Sequence, residues 1–213
     1  MASTERTKTR FESFMQGFAA AVQLSQRAVK NGSFIESVCL SASVIDAQLR
    51  IGLILEHQLK TKSDCILDEL LCQADAKNII TERNIYKQAL EKNIISQNVY
   101  QELNDLYNKR NKIVHQYIIS DITTETVLNI AAKYSDMVHI VKESVRRLED
   151  EQLRLGVGMT KAGDVVPKSI RGEAKEIINN LADKKHDNSN LVKNLRSNSG
   201  PSGLRGDQRK PSA

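Results

Sequence analysis

Tryptophan is absent from this chain of 213 residues, and aromatic residues of all kinds make up 4%. So thin a supply argues against a platform on which successive bases of a single strand stack. Proline occurs three times and glycine ten times. With helix breakers this rare, and with Leu, Ala, Lys, Glu, Gln and Ile recurring throughout, the composition favours helices. The alternating pattern of strands is missing. Cysteine is scarce too: Cys39, Cys65 and Cys72 are an odd number with no Cys-x-x-Cys pair. That argues against a disulfide framework and a structural zinc site, and reads as buried thiols in a reducing compartment. The N-terminal MASTERTKTRF is polar and charged, unlike a secretory signal. The most apolar run, Phe34 to Leu55, is broken by Glu36, Asp46, Gln48 and Arg50, so no membrane span is expected. The expected location is the cytoplasm. A phosphate loop is missing as well: Gly158 and Gly163 have the right gap, but Asp164 stands where lysine is needed.

Charge is present, and it is unevenly placed. The whole chain holds 31 Lys and Arg against 26 Asp and Glu. From Gly156 onward there are 11 against 6, which leaves 20 against 20 for residues 1–155. The folded part is therefore expected to be neutral, with a basic surplus in the tail. Such a tail suits a polyanion such as RNA, and equally a solubilising role.

Hydrophobic spacing and end signals divide residues 1–155 into an all-α bundle of four or five helices. A first helix runs from Ser3–Thr4 to Lys30 and ends at Asn31–Gly32. Ser33-Phe34-Ile35-Glu36 has the form of a capping box. It opens a second helix to Lys60 that is apolar around most of its circumference and suits the centre of a bundle. A short helix and loop over Ser63 to Ile80, a helix over Thr81 to Glu91 closed by Asn93, and a helix from Gln97 to Ile118 capped by Ser96 follow. After the polar turn at Ser120–Asp121, a last long helix spans Thr124 to Leu155. Residues 156–213 form a flexible basic tail, with a short helix near 168–183 and a disordered Ser/Gly/Pro/Arg-rich end.

The sharpest feature lies in LYNKRNKIVHQY, Leu106 to Tyr117. Val99, Leu103, Leu106, Arg110, Ile113 and Tyr117 alternate steps of four and three, the spacing of one narrow helical seam. Five of these positions are apolar or aromatic, and the sixth is Arg110. Asn104, Asn108, Asn111 and His115 form a polar stripe beside it. A guanidinium in a buried strip needs an anion or water. Three partners are open: an internal carboxylate, with Asp46 on the central helix the best candidate; a subunit contact; or a phosphate, which a planar five-donor fork suits.

With a histidine nearby, phosphate binding becomes chemistry. RNA is cut without metal when its 2′-hydroxyl attacks the adjacent phosphorus. Histidine provides a base near neutral pH, and arginine provides a cation for the charge that builds on the phosphoryl oxygens. His115 lies roughly 140° around the helix from Arg110 at ~100° per residue. One helix therefore serves one centre poorly with both groups, whereas a two-fold dimer supplies two of each.

The string RNKIVHQY resembles the Arg-x4–6-His motif of HEPN domains, all-helical modules of prokaryotic toxin, defence and RNA-processing systems. Asn111 after the arginine, Val114 before the histidine, and the following SDITTETVLNIAAKY belong to the likeness, which is closest over residues 94–130. The resemblance implies a metal-independent endoribonuclease at a homodimer interface, acting as a toxin or defence effector. Its catalytic residues would be Arg110, His115 and Asn111, with no metal and no cofactor; Asp46 and Asn108 are supporting candidates from the helix positions themselves. Tyr117 extends the match to Arg-x4-His-x-Tyr, as in HEPN toxins paired with minimal nucleotidyltransferase antitoxins. There the tyrosine is a modification site, which implies an antitoxin or nucleotidyltransferase partner. The chain departs from that subgroup in lacking tryptophan and in carrying the tail. Other relatives are scaffolds, regulators or partner-binding subunits, the alternative for this chain.

The bare motif is weak: about 0.7 Arg-x4–6-His matches are expected by chance in this composition. A second match, Arg50 to His57, reads as a helix-face arginine paired with Asp46 and a solvated histidine at a helix end. His139 and His186 have no partners at ligand spacing, and Tyr100 and Tyr107 read as packing residues. The nuclease expectation requires Arg110 to be available to a phosphate and His115 to lie at the two-fold contact.

Overall fold

The computed structural model describes residues 2–71, 79–162 and 179–182. Five α-helices follow one another: α1 (Ala2–Lys30), α2 (Phe34–Thr61), α3 (Glu82–Glu91), α4 (Gln97–Gln116) and α5 (Thr124–Leu155). Short 3-10 turns occupy Asp68–Leu70 and Met159–Ala162. Among the described residues there is no strand, so the fold is an all-α bundle.

Local chemistry sets most of the boundaries. Thr81, Ser96 and Thr123 each accept a hydrogen bond from the backbone N–H three residues on, satisfying a donor that the first turn leaves free. Gly32, Asn93 and Gly156 adopt left-handed conformations just past helix ends. The expected capping box does not form. Ser33 caps α2 with ψ of 68° and no side-chain hydrogen bond, and its backbone N–H, which Glu36 would take in a capping box, donates instead to Ala28 O at 2.9 Å. The helix expected to reach Ile118 ends at Gln116, so Tyr117 and Ile118 lie in the turn.

Helix α2 is central and packs against each of the other four, most extensively against α5. Val38, Ile45, Leu49, Ile54 and Leu55 are fully buried along it. It is the one described helix long and apolar enough to cross a membrane, and 72% of its most apolar window is buried inside the bundle. Burying a Leu or Ile side chain stabilises by about 1.5–3 kcal/mol, so this helix supplies much of the driving force. Cys39 is half-buried and Cys65 exposed, contrary to the expectation that all the thiols are buried. Burial still pushes the Cys39 thiol up, against the opposing charge of Arg110. Cys72 lies outside the described residues.

The far end of the bundle is tied by polar groups. Gln58 and Gln152 are fully buried. Gln152 Nε2 donates to Gln58 Oε1 at 2.9 Å and to Leu55 O at 3.2 Å. The Gln58 oxygen also accepts from Met159 N at 3.0 Å, and the Gln152 oxygen from Thr160 N and Oγ1 at 3.2 and 2.7 Å. Gln58 Nε2 donates to Cys65 O at 3.2 Å. Both amides are satisfied, so the network fixes one arrangement of α2, α5 and the following turn.

The tail expectation is only partly within the described residues. Residues 179–182 are helical, and Ala182 is fully buried against Ala19 and Ala20 of α1. Residues 163–178 and 183–213 lie outside them.

Gly158 has φ of +76°, and a Cβ there would run into the Gln152 amide. Gly32 has φ of +69° with open space around it. Gly158→Ala should therefore destabilise by about 2–4 kcal/mol, from left-handed strain plus a broken network, and Gly32→Ala by about 1 kcal/mol. Urea unfolding of the two variants checks this; equal losses would rule out the network contribution.

Candidate functional site

Helix α4 is seated by its seam: Leu103, Leu106 and Ile113 are buried. Arg110 lies in the same strip with its side chain 18% exposed. Its partner comes from α3. Arg110 Nη1 donates to Glu82 Oε2 at 2.6 Å, and the Glu82 side chain is 17% exposed. Nη2 donates to Asn111 Oδ1 at 3.1 Å. The Tyr86 hydroxyl, fully buried, donates to the other Glu82 oxygen. Of the three partners open from sequence, the internal carboxylate is present, but it is Glu82. Asp46 is engaged elsewhere: Arg50 Nε donates to it at 2.6 Å, one turn along α2. Arg50 also donates to Leu70 O and Ile80 O, which holds the loop after α2. His57, expected to be solvated, is half-buried.

Burial disfavours the Arg110 charge, but the Glu82 hydrogen bond and negative charge outweigh it, so the guanidinium titrates above its ordinary value. Tyr86 is pushed up by burial and by Glu82. Tyr134 of α5 is pushed up by burial, with Arg110 opposing and Glu82 reinforcing. Its buried hydroxyl has no hydrogen-bond partner among the described residues. These groups form one network joining α3, α4 and α5, with Cys39 of α2 near enough to feel Arg110.

Asn111 is bound to Arg110 rather than to His115. His115 is exposed, one residue before the end of α4, and makes no hydrogen bond or ion pair among the described residues. Several apolar residues close to it in sequence are exposed, alongside the polar Lys112 and Gln116. Val114 is 48% exposed, Tyr117 37%, Ile118 95% and Ile119 82%. Beside this patch, an open hollow of about 550 Å³ is lined by Gly32, Phe34, Ile35, Tyr117, Thr124 and Val127. Among the described residues, no three of His, Cys, Asp and Glu converge as metal ligands would.

Two residues read differently once the helices are assembled. Tyr107, expected only to pack, has two guanidinium groups over its ring: Arg110 Cζ is 4.7 Å and Arg83 Cζ 5.0 Å from its centroid. Arg83 Nε donates to Asn104 Oδ1 at 3.2 Å, and Nη2 to Asn108 Oδ1 at 3.4 Å. Asn108 thus supports Arg83. The stripe of asparagines hinted at a polar contact, but nothing local to α4 pointed to an arginine 25 residues away. No family model, curated protein or solved structure matches this chain.

The Arg110–Glu82 pair should show coupling of about 1–3 kcal/mol in a double-mutant cycle with Arg110→Met and Glu82→Gln. Either single change strands a partly buried group, at a cost below the roughly 3–5 kcal/mol of a fully buried pair. Additive losses in thermal unfolding would show that the pair is not coupled.

A second expectation concerns alkali. Tyr134 keeps its proton above the pH, about 10, at which an unfolded tyrosine releases it. The unfolded state then binds fewer protons, so stability is full below pH ~10 and falls above it. Tyr134→Phe should leave neutral-pH stability unchanged or slightly raised, since it removes an unpartnered hydroxyl, and should flatten the alkaline decline. A large loss at pH 7 would mean the hydroxyl has a partner.

Proposed function

We propose that the chain is a HEPN-type module that cleaves RNA without a metal ion at a homodimer contact, as a toxin or defence effector. The observation that carries this reading is the solvent-open, unpartnered imidazole of His115 set against the exposed apolar surface of Val114, Tyr117, Ile118 and Ile119. A two-fold contact through that surface buries exposed apolar area and brings two imidazoles together. One takes the proton from the 2′-hydroxyl as its oxygen bonds to phosphorus. The other, protonated, gives a proton to the departing 5′-oxygen as its bond to phosphorus breaks. The products are a 2′,3′-cyclic phosphate and a 5′-hydroxyl. Arg110, paired with Glu82 and Asn111, does not meet the expectation that it be available to a phosphate; its part in this reading is to seat α4 on α3. Tyr117, partly exposed at the end of α4 in the single subunit, would be open to a modifying nucleotidyltransferase partner before the two-fold contact forms, and the basic tail adds nonspecific affinity for the polyanion.

One observation favours the second reading, a non-catalytic HEPN scaffold or regulator. Arg110 is already charge-balanced inside a single subunit, so a phosphate has to compete with Glu82 for it. In that reading the same apolar surface docks a partner or a second copy, and His115 is an ordinary surface histidine.

Wild type and His115→Ala, expressed side by side with RNA ends mapped, separate the two. The catalytic reading expects cleavage that persists in EDTA, leaves 2′,3′-cyclic ends, and falls by about 10²–10⁴-fold in His115→Ala. It also expects Ile118→Glu to abolish both the dimer and cleavage. Cleavage unaffected by His115→Ala, or no cleavage by the wild-type dimer, would leave the scaffold reading.

A further inference from the structure

We propose that Arg83, held over the ring of Tyr107 by Asn104 and Asn108, is the residue that grips the phosphodiester backbone of single-stranded RNA beside the α4 motif. This rests on the RNA reading above, and it assigns the phosphate contact to a residue outside that motif.

The argument is about where positive charge is left uncompensated. Arg110 and Arg83 lie over the same tyrosine ring. Arg110 delivers its charge to Glu82, at 2.6 Å in a half-buried setting. Arg83 is exposed and meets only neutral groups: two amide oxygens and an aromatic ring. Among the described residues it pairs with no carboxylate. Its other basic neighbours differ, since Lys87 pairs with Glu91 and Lys109 with Asp105.

Holding an arginine through two amides and a ring fixes the plane of the fork without neutralising it. A free arginine loses side-chain entropy when it clamps an anion, whereas a pre-set one loses less. Two of the five N–H donors are used, and the remainder are available to phosphate oxygens. The amide nitrogens of Asn108 and Asn111 make no described hydrogen bond, and they lie along the same side of α4, about 4.5 Å apart in rise. They suit further phosphate oxygens or base-edge acceptors of an unpaired strand. The chemistry recognised is therefore a flexible polyanion with exposed bases.

The test is fluorescence anisotropy with labelled oligouridine and oligoadenine, using the full-length chain carrying His115→Ala so that the probe stays intact. Adding Arg83→Gln, which retains polar reach without charge, should weaken binding about tenfold and lower the slope of log affinity against log salt by about 0.7. Arg83→Lys should keep the slope and lose part of the affinity, and Lys87→Ala should change neither. Thermal unfolding is measured alongside. If Arg83→Gln lowers the melting temperature but leaves affinity and slope intact, Arg83 is a clamp between α3 and α4 and the proposal is wrong. Preference for polyglutamate over RNA, or no RNA binding at all, overturns it as well. Arg83-dependent binding without cleavage by wild type removes the ribonuclease reading and keeps this one. Cleavage that is indifferent to Arg83 does the reverse.

Discussion

The contact between Arg110 and Glu82 decides how the second half of the bundle is arranged. An arginine in an apolar seam costs several kcal/mol unless it finds an anion, so α4 packs well only where a carboxylate waits for it. Glu82 is that carboxylate, and its second oxygen is taken by Tyr86, whose ring is buried in the core. The pair therefore sets the register of α4 on α3 in a way that apolar contacts, which slide at little cost, do not. Once that register is set, Arg83 falls opposite Asn104 and Asn108, and both arginines fall over the ring of Tyr107. The motif helix has its polar stripe oriented by an ion pair that is itself part of the core.

The local parts of this architecture were legible in the sequence. Thr81, Ser96 and Asn93 mark helix ends through bonds or backbone angles within a few residues of themselves, and α5 spans Thr124–Leu155 as its pattern implies. The seam of α4 was readable because periodicity reports burial directly. The partner of Arg110 was not, because it is 28 residues away and looks from sequence like an ordinary first-turn acid favoured by the helix dipole. Asp46 looked better since it lies on the central helix, yet Arg50, one turn along, claims it first. A signal did exist: Glu82 and Tyr86 are four apart, so an apolar-face tyrosine shares a side with that acid and draws it toward the core. Ser33 failed for a different reason, since a cap needs an extended backbone as well as a hydroxyl, and the Ser33 backbone is turned and its N–H tied back to Ala28.

The two arginines over one ring also show why residue type alone does not identify a phosphate-binding group. Arg110 occupies the motif position, but desolvation has already forced it to choose a partner. Arg83 stands in water, where an exposed ion pair gains little and a neutral amide holds the guanidinium nearly as well. A site that must attract an anion and then let it go is better served by the second arrangement. Burial makes a cation structural, and exposure with rigid neutral supports leaves it free to bind.

The end of α4 carries the same logic to the apolar surface. The helix stops at Gln116, two residues short of its pattern, and the turn lifts Ile118 and Ile119 almost entirely into solvent. Continuing the helix would carry Tyr117, next in the seam, onward with it; stopping leaves two isoleucines outside any core of this subunit. Scattered exposed apolar residues need no explanation, but adjacent ones beside Val114 and Tyr117 form a patch, and patches of that kind mark contacts. His115 is exposed near these residues in sequence and about 140° around the helix from Arg110, so the imidazole and the motif arginine answer to different surfaces. What covers the isoleucines therefore decides what surrounds the histidine. Under the proposed reading, the chemistry of the motif would belong to the assembly rather than to the single chain.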